Sequence, residues 1–199
     1  AAEGFNFLRK GIEYADLVTT VSPRYSQEIQ TPEFGYGLDQ LLREKGVVGI
    51  LNGAGRDAWD PMTDPHLPAP FSGAATEGRK TCRAALLQEA GWSTDDDALL
   101  VGVVARLDYQ KGLDWVADIV PDLPKMGIRL VLLGTGDPNL EARFKSLAEN
   151  DPAHFCAWLA FDVPQSHRIM GGADAVLVPS RFEPCGLTQL YAMRYGALP

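Results

Sequence analysis

Cysteine is scarce and scattered: Cys82, Cys156 and Cys185 are far apart and odd in number. That pattern makes neither a disulfide framework nor a zinc site, and a reducing compartment is the simple reading. No apolar run approaches the roughly 18 residues that cross a membrane. Excess positive charge is missing too. The net charge of −8 over 199 residues argues against a general nucleic-acid binder. A small anionic ligand remains possible, because local charge governs a pocket. His66, His154 and His167 stand at no ligand spacing and no H-E-x-x-H run occurs, so no metal site is expected. His167, beside Ile169 and Met170, reads as structural. The 46% hydrophobic and 22% charged residues fit an ordinary globular chain with one domain or parts of two. The chain opens on Ala1 within a helical phrase and closes on an apparent approach to a strand, so it is expected to be cut at both ends and any targeting signal could be missing.

Two textures divide the sequence. Residues 1–50 hold a helix from Asn6 to Ala15, a short strand from Asp16 to Val21 and a helix announced by Ser22-Pro23. A glycine-rich loop, a helix over 38–45 and a strand over 47–51 follow. Residues 52–78, with Pro61, Pro65, Pro68 and Pro70, read as an extended connector, and residues 79–90 as a helix. From Ala98 strands and helices alternate: strands at 99–105, 130–133, 155–161 and 175–178, helices at 112–120, 140–150, 164–171 and 187–195. Such alternation predicts βαβ units and a parallel α/β sheet. Right-handed crossovers then put the loops after Ala105, Leu133, Phe161 and Val178 on one edge, where open α/β sheets bind ligands.

Most of the unusual chemistry falls in those loops. Arg106 leaves one strand and Lys111 opens the next helix, a cation pair suited to a phosphate or diphosphate, or else a solvated loop with surface charges. Gly134-Thr135-Gly136 is a weak signal and reads first as a turn. Phe161, at a strand end, either stacks on a nucleobase or packs in the core. Pro179-Ser180-Arg181-Phe182-Glu183-Pro184-Cys185-Gly186-Leu187 puts one carboxylate in a stiff turn between strand and helix. Glu183 either grips a ligand or pairs with Arg181 to hold the loop. The amides of Gly186, Leu187 and Thr188 start a helix and suit an anion, and Cys185 reads as a small hydrophobe. Together, these features fit a nucleotide diphosphate bearing a polar group. A dehydrogenase-type site is disfavoured, because residues 106–112 lack the G-x-G-x-x-G glycines.

The phrases ADLVTTVSPRYSQEIQTPEFGYGL from Ala15, GILNG from Gly49, WDP from Trp59, RLDYQKGLD from Arg106, SHRIMGGAD from Ser166 and PSRFEPCGLTQLYAMRYG from Pro179 span most of the chain. In their order and spacing they closely resemble the bacterial-type glycogen and starch synthases of glycosyltransferase family 5. The resemblance implies a GT-B fold of two Rossmann-like lobes. Residues 1–50 would end the N-terminal lobe, 51–97 would form the interdomain connector and first helix, and 98–199 would be a truncated sugar-nucleotide lobe. It implies retaining transfer of glucose from ADP-glucose to the 4-hydroxyl of an α-1,4-glucan, without metal or other cofactor, nucleic acid or membrane. Arg106 and Lys111 would stabilise the departing ADP and Glu183 would hold the glucose hydroxyls. Asn52, Phe161, Cys185, Gly186, Leu187 and Thr188 would bind substrate. The chain alone is expected to be inactive, and the setting a bacterial cytoplasm, with a plastid second. An inactive sugar-nucleotide-binding module is the alternative. One departure stands out: Asn52-Gly53-Ala54-Gly55 lacks the aspartate usual in the family's hinge phrase.

Overall fold

The computed structural model describes residues 6–55 and 57–199. They fall into two compact units, one ending at Gly53 and including Glu183–Gly186, the other comprising Ala54–Phe182 and Leu187–Pro199.

The smaller unit runs α1 (Phe7–Tyr14), β1 (Val18–Thr20), α2 (Pro23–Glu28), α3 (Asp39–Lys45) and β2 (Val47–Gly49). β1 and β2 pair in parallel, Val18 opposite Val47. Asn6 caps α1 by accepting the Arg9 amide, and Ser22 caps α2 by accepting the Tyr25 amide, with Pro23 in the first turn. The Ser22 hydroxyl also donates to the Pro184 carbonyl at 2.6 Å.

The larger unit begins with proline-punctuated turns and α4 (Glu77–Glu89). Residues 54–97, read from the sequence as connector and first helix, lie within this unit. They contribute to its core through Phe71, Cys82, Leu86 and Leu87. Then come β3 (Leu99–Val104), α5 (Leu113–Ile119), a 3₁₀ turn (Val120–Asp122), α6 (Leu123–Met126), β4 (Ile128–Leu133), α7 (Pro138–Asn150), β5 (Phe155–Trp158), α8 (Val163–Gly172), β6 (Ala175–Val176) and α9 (Leu187–Arg194). The four strands form one parallel sheet in the order β5-β4-β3-β6. This is the α/β class expected from the alternation.

Strand alternation makes two cores, one on each face of the sheet. Val131 and Leu133 join Leu100 with residues of α4, α8 and α9, whereas Leu130 and Leu132 join Val103 with residues of α5 and α7. Gly102 lets α8 lie directly on the sheet, since a Cβ there would meet Ile169 at 2.4 Å. Each fully buried leucine contributes about 2 kcal/mol.

A polar knot ties the early turns to α8 and α9. Trp59 stacks on His167 (centroids 3.8 Å apart) and on Tyr191 (4.1 Å). The wholly buried carboxylate of Asp64 bonds His167 Nδ1 at 2.6 Å, accepts from the Tyr195 hydroxyl at 2.5 Å and accepts the His66 amide at 2.9 Å. His167 is structural, as its setting in the sequence suggests. Burial acts to raise the pKa of Asp64, but the hydrogen bonds from Tyr195, His66 and His167 outweigh it and hold the carboxyl below its ordinary value. A depressed carboxylate contributes stability above the unfolded pKa of about 3.9 and loses it as pH falls toward the folded value. Asp64→Asn is therefore expected to cost the larger unit about 2 kcal/mol at neutral pH. The variant should also flatten the loss of stability below about pH 4. Denaturant unfolding of the full protein at several pH values, followed by tryptophan fluorescence, checks both.

Candidate functional site

The carboxyl edge of the large sheet is built from loops that touch through their backbones. β3 runs into residues 105–112, β4 into 134–137, β5 into 159–162 and β6 into 177–182. Beyond the strands Leu107 still pairs in parallel with Gly136. The Leu107 amide donates to the Thr135 carbonyl and the Asp137 amide to the Leu107 carbonyl. The glycines are what allow this approach. A Cβ on Gly134 would stand 2.1 Å from the Ala105 carbonyl oxygen, and one on Gly136 2.5 Å from that of Leu107. The G-x-G signal is thus a turn with a packing reason. The start of α7 is capped from within: Asp137 accepts the amides of Asn139 and Leu140, and Glu141 accepts that of Gly136 at 2.8 Å. The Thr135 hydroxyl also donates to Glu141, and these two hydrogen bonds hold the Glu141 carboxyl below its ordinary value.

Arg106 projects from this edge with its side chain 72% exposed and pairs with Asp108 at 3.2 Å. An exposed pair of that kind is worth at most about 1 kcal/mol, so an incoming anion can displace it. The other Asp108 carboxylate oxygen accepts the Lys111 amide at 3.0 Å and shapes the turn. Gly112 then takes a left-handed φ of 64°, and a Cβ there would lie 2.1 Å from the Pro179 carbonyl oxygen. The Arg106–Lys111 loop therefore lies against the loop that leaves β6.

Phe161 departs from the sequence expectation in its setting. β5 ends at Trp158, and a tight turn carries the chain past the strand to Phe161, which is 87% exposed. Core packing, one of the two readings of this ring, does not occur. Phe161 and Arg106 instead line a cavity of about 220 Å³, floored by Ala105, Leu133 and Gly134. That is room for a planar ring rather than a whole drug-sized ligand. A larger cleft of about 600 Å³ lies by Arg79, Arg83 and Arg194. It sits at the opposite end of the strands, beside Asp174, and its guanidinium groups bond protein partners: Arg79 the Tyr195 and Ala173 carbonyls, Arg83 Asp174, Arg194 Asp60.

Arg181, which one reading of the sequence paired with Glu183, has partners within the larger unit. It forms a bidentate pair with Asp114 at 2.6 and 2.7 Å and lies over the rings of Tyr109 and Trp115. The paired guanidinium holds the Asp114 carboxyl below its ordinary value. Asp114, in the first turn of α5, is a partner to which the sequence did not point. Glu183, Cys185 and Gly186 belong to the smaller unit, and Gly186 turns with φ 75°. Asn52 lies in that unit too, while Leu187 and Thr188 open α9 in the larger one. The three thiols are free, and burial pushes that of Cys156 up to about 11, out of reach as a nucleophile. Among the described residues no group of three or more His, Cys, Asp and Glu is placed to hold a metal ion. No helix there is long and apolar enough to cross a membrane.

The profile of group 1 glycosyl transferases matches residues 98–198, half of the chain. The chain belongs to that family. The profile described as the starch synthase catalytic domain matches residues 1–44. A glycogen synthase of Roseobacter denitrificans is 48% identical over 97% of this chain and 41% of its own length. One of Paracidovorax citrulli is 46% identical over 98% of this chain and 39% of its own. Among solved structures, the catalytic domain of Starch Synthase IV from Arabidopsis thaliana, bound to ADP and acarbose, superposes with a TM-score of 0.91 at 37% identity, over 96% of this chain and 40% of that one. The resemblance to glycogen and starch synthases thus holds along the chain, and the structural neighbours are GT-B glycosyltransferases. The chain spans about two fifths of the length of these relatives.

Gly112→Ala tests the loop contact, because it forces a side chain onto a left-handed backbone and toward the Pro179 carbonyl. The substitution is expected to cost about 2 kcal/mol. Denaturant titration of the full protein measures it.

Proposed function

We propose that the full protein transfers glucose, with retention, from ADP-glucose to the 4-hydroxyl of an α-1,4-glucan, this chain supplying the donor-binding part. The observation that carries the reading is the single edge of the larger unit on which an exposed arginine, a small cavity and an exposed phenylalanine occur together. In this reading the adenine enters the cavity against Phe161, and Arg106 exchanges Asp108 for the diphosphate. Lys111 adds a second positive charge. The leaving group is ADP, so fixed cations that meet the growing charge on its terminal phosphate lower the barrier directly. Amides of residues Cys185 to Thr188 cap the phosphates and the sugar, Glu183 binds the glucose hydroxyls, and Asn52 reaches the donor from the hinge. No metal or other cofactor is assigned a role. The relatives named glycogen synthase support glucan synthesis, and the ADP bound to the Arabidopsis enzyme supports an adenine nucleotide. The bacterial sources of the relatives support a bacterial cytoplasm.

Glucose incorporation by the full protein tests the proposal. Glu183→Gln is expected to lower kcat by about 10²-fold or more, with ADP affinity little changed. Phe161→Ala should raise the KM for ADP-glucose about tenfold through lost stacking, about 1.4 kcal/mol. ADP should compete better than UDP. A Glu183→Gln enzyme at near-normal rate would remove that residue from the mechanism, and a full-length protein that binds ADP but transfers no glucose would be the inactive binding module.

A further inference from the structure

We infer that Arg181 is a positioning residue that locks the Arg106–Lys111 loop to the chain entering Glu183. The inference rests on the donor-site reading above and assigns Arg181 no contact with substrate. Four sets of contacts converge on this side chain and its neighbours. The guanidinium grips Asp114 through both nitrogens, at 2.7 and 2.6 Å, and donates to the Tyr109 carbonyl at 2.6 Å. Its plane lies over Tyr109 and Trp115, 3.8 and 4.0 Å from the ring centres. The Arg181 amide donates to the Gln110 carbonyl at 2.8 Å. In return the Gln110 side chain donates to the Phe182 carbonyl at 3.2 Å, which belongs to the peptide group joining Phe182 to Glu183.

The order of residues explains the effect. Tyr109, Gln110, Asp114 and Trp115 flank Lys111 on both sides, so these partners of Arg181 lie within four residues of a proposed phosphate ligand. In its own loop Arg181 stands two residues before Glu183. One planar, permanently charged fork thus spans the two segments that carry the proposed cation and carboxylate. Arginine suits this task and lysine does not: an ammonium group offers no flat face to two rings and no parallel pair of donors to a carboxylate. Although Tyr109 is 73% exposed and Trp115 50% exposed, the ion pair between them is bidentate and ring-covered, with the Arg181 side chain only 16% accessible. It is therefore a better-defined link than an ordinary surface pair.

The test uses the full protein with Arg181→Lys and, separately, Asp114→Asn, which leaves Arg181 in place should the first variant fold poorly. Arg181→Lys is expected to lower kcat about 30- to 100-fold while the ADP dissociation constant moves less than about threefold, as a misplacement near 1 Å would do. Asp114→Asn should act in the same direction and less strongly. In the Glu183→Gln background, Arg181→Lys should cost severalfold less than it does in the parent, because one of the two groups it positions no longer acts. Hydrogen exchange should speed up in residues 106–112 as well as in 179–182, with the core strands unchanged. The inference is overturned if the two substitutions multiply independently, or if exchange in residues 106–112 stays as in the parent. Equal losses of ADP affinity and kcat would also overturn it. Should Glu183→Gln keep its rate, the donor-site reading fails on that arm alone, and the exchange coupling of the two loops still decides whether Arg181 locks them.

Discussion

Backbone approaching backbone at the carboxyl edge of one parallel sheet is the constraint on which the rest of this structure depends. Loops from adjacent strands come so close at Gly112 and Pro179, and at Gly134 and Ala105, that only a missing side chain makes room. Once the loops are in contact, their polar groups satisfy one another instead of water, as the Leu107, Thr135 and Asp137 hydrogen bonds do. Arg106 stands on such a base with its tip exposed and paired with Asp108. In the proposed reading that suits a charged leaving group: charge is placed in advance, on a backbone that need not reorganise.

The order of elements was legible in the sequence because the physics is local there. Ser22-Pro23 announces a helix start, and the structure caps α2 at that serine. The change from strand-like to helix-like spacing after Ala98 gives the parallel sheet, since short buried strands joined by helices have few other arrangements. The errors are local too. The helix expected from Leu140 starts at Pro138, because Asp137-Pro138 signals a turn and a cap alike. The strand expected through Phe161 stops at Trp158, because an apolar run does not record where its pairing partner ends. The four-residue α6 went unseen within a connection that begins on Pro121.

The proposed site was legible in residue type and illegible in partnership. Arg106, Lys111, Phe161 and Glu183 announce themselves by position after strands. Nothing in the local sequence says that Arg181 pairs with an aspartate 67 residues away. Nor does it say that Trp59 lies flat between His167 and Tyr191. Such contacts come from tertiary packing, which overrides neighbour-based pairing whenever a planar cation finds rings and a second oxygen.

Ser22 carries a consequence of a different kind. Its single hydroxyl accepts a hydrogen bond from the Tyr25 amide and donates one to the Pro184 carbonyl. Aspartate begins helices as well as serine does, yet its carboxylate has no proton to give. The choice of residue at the first turn of a surface helix is therefore governed by a carbonyl 162 positions further along the chain.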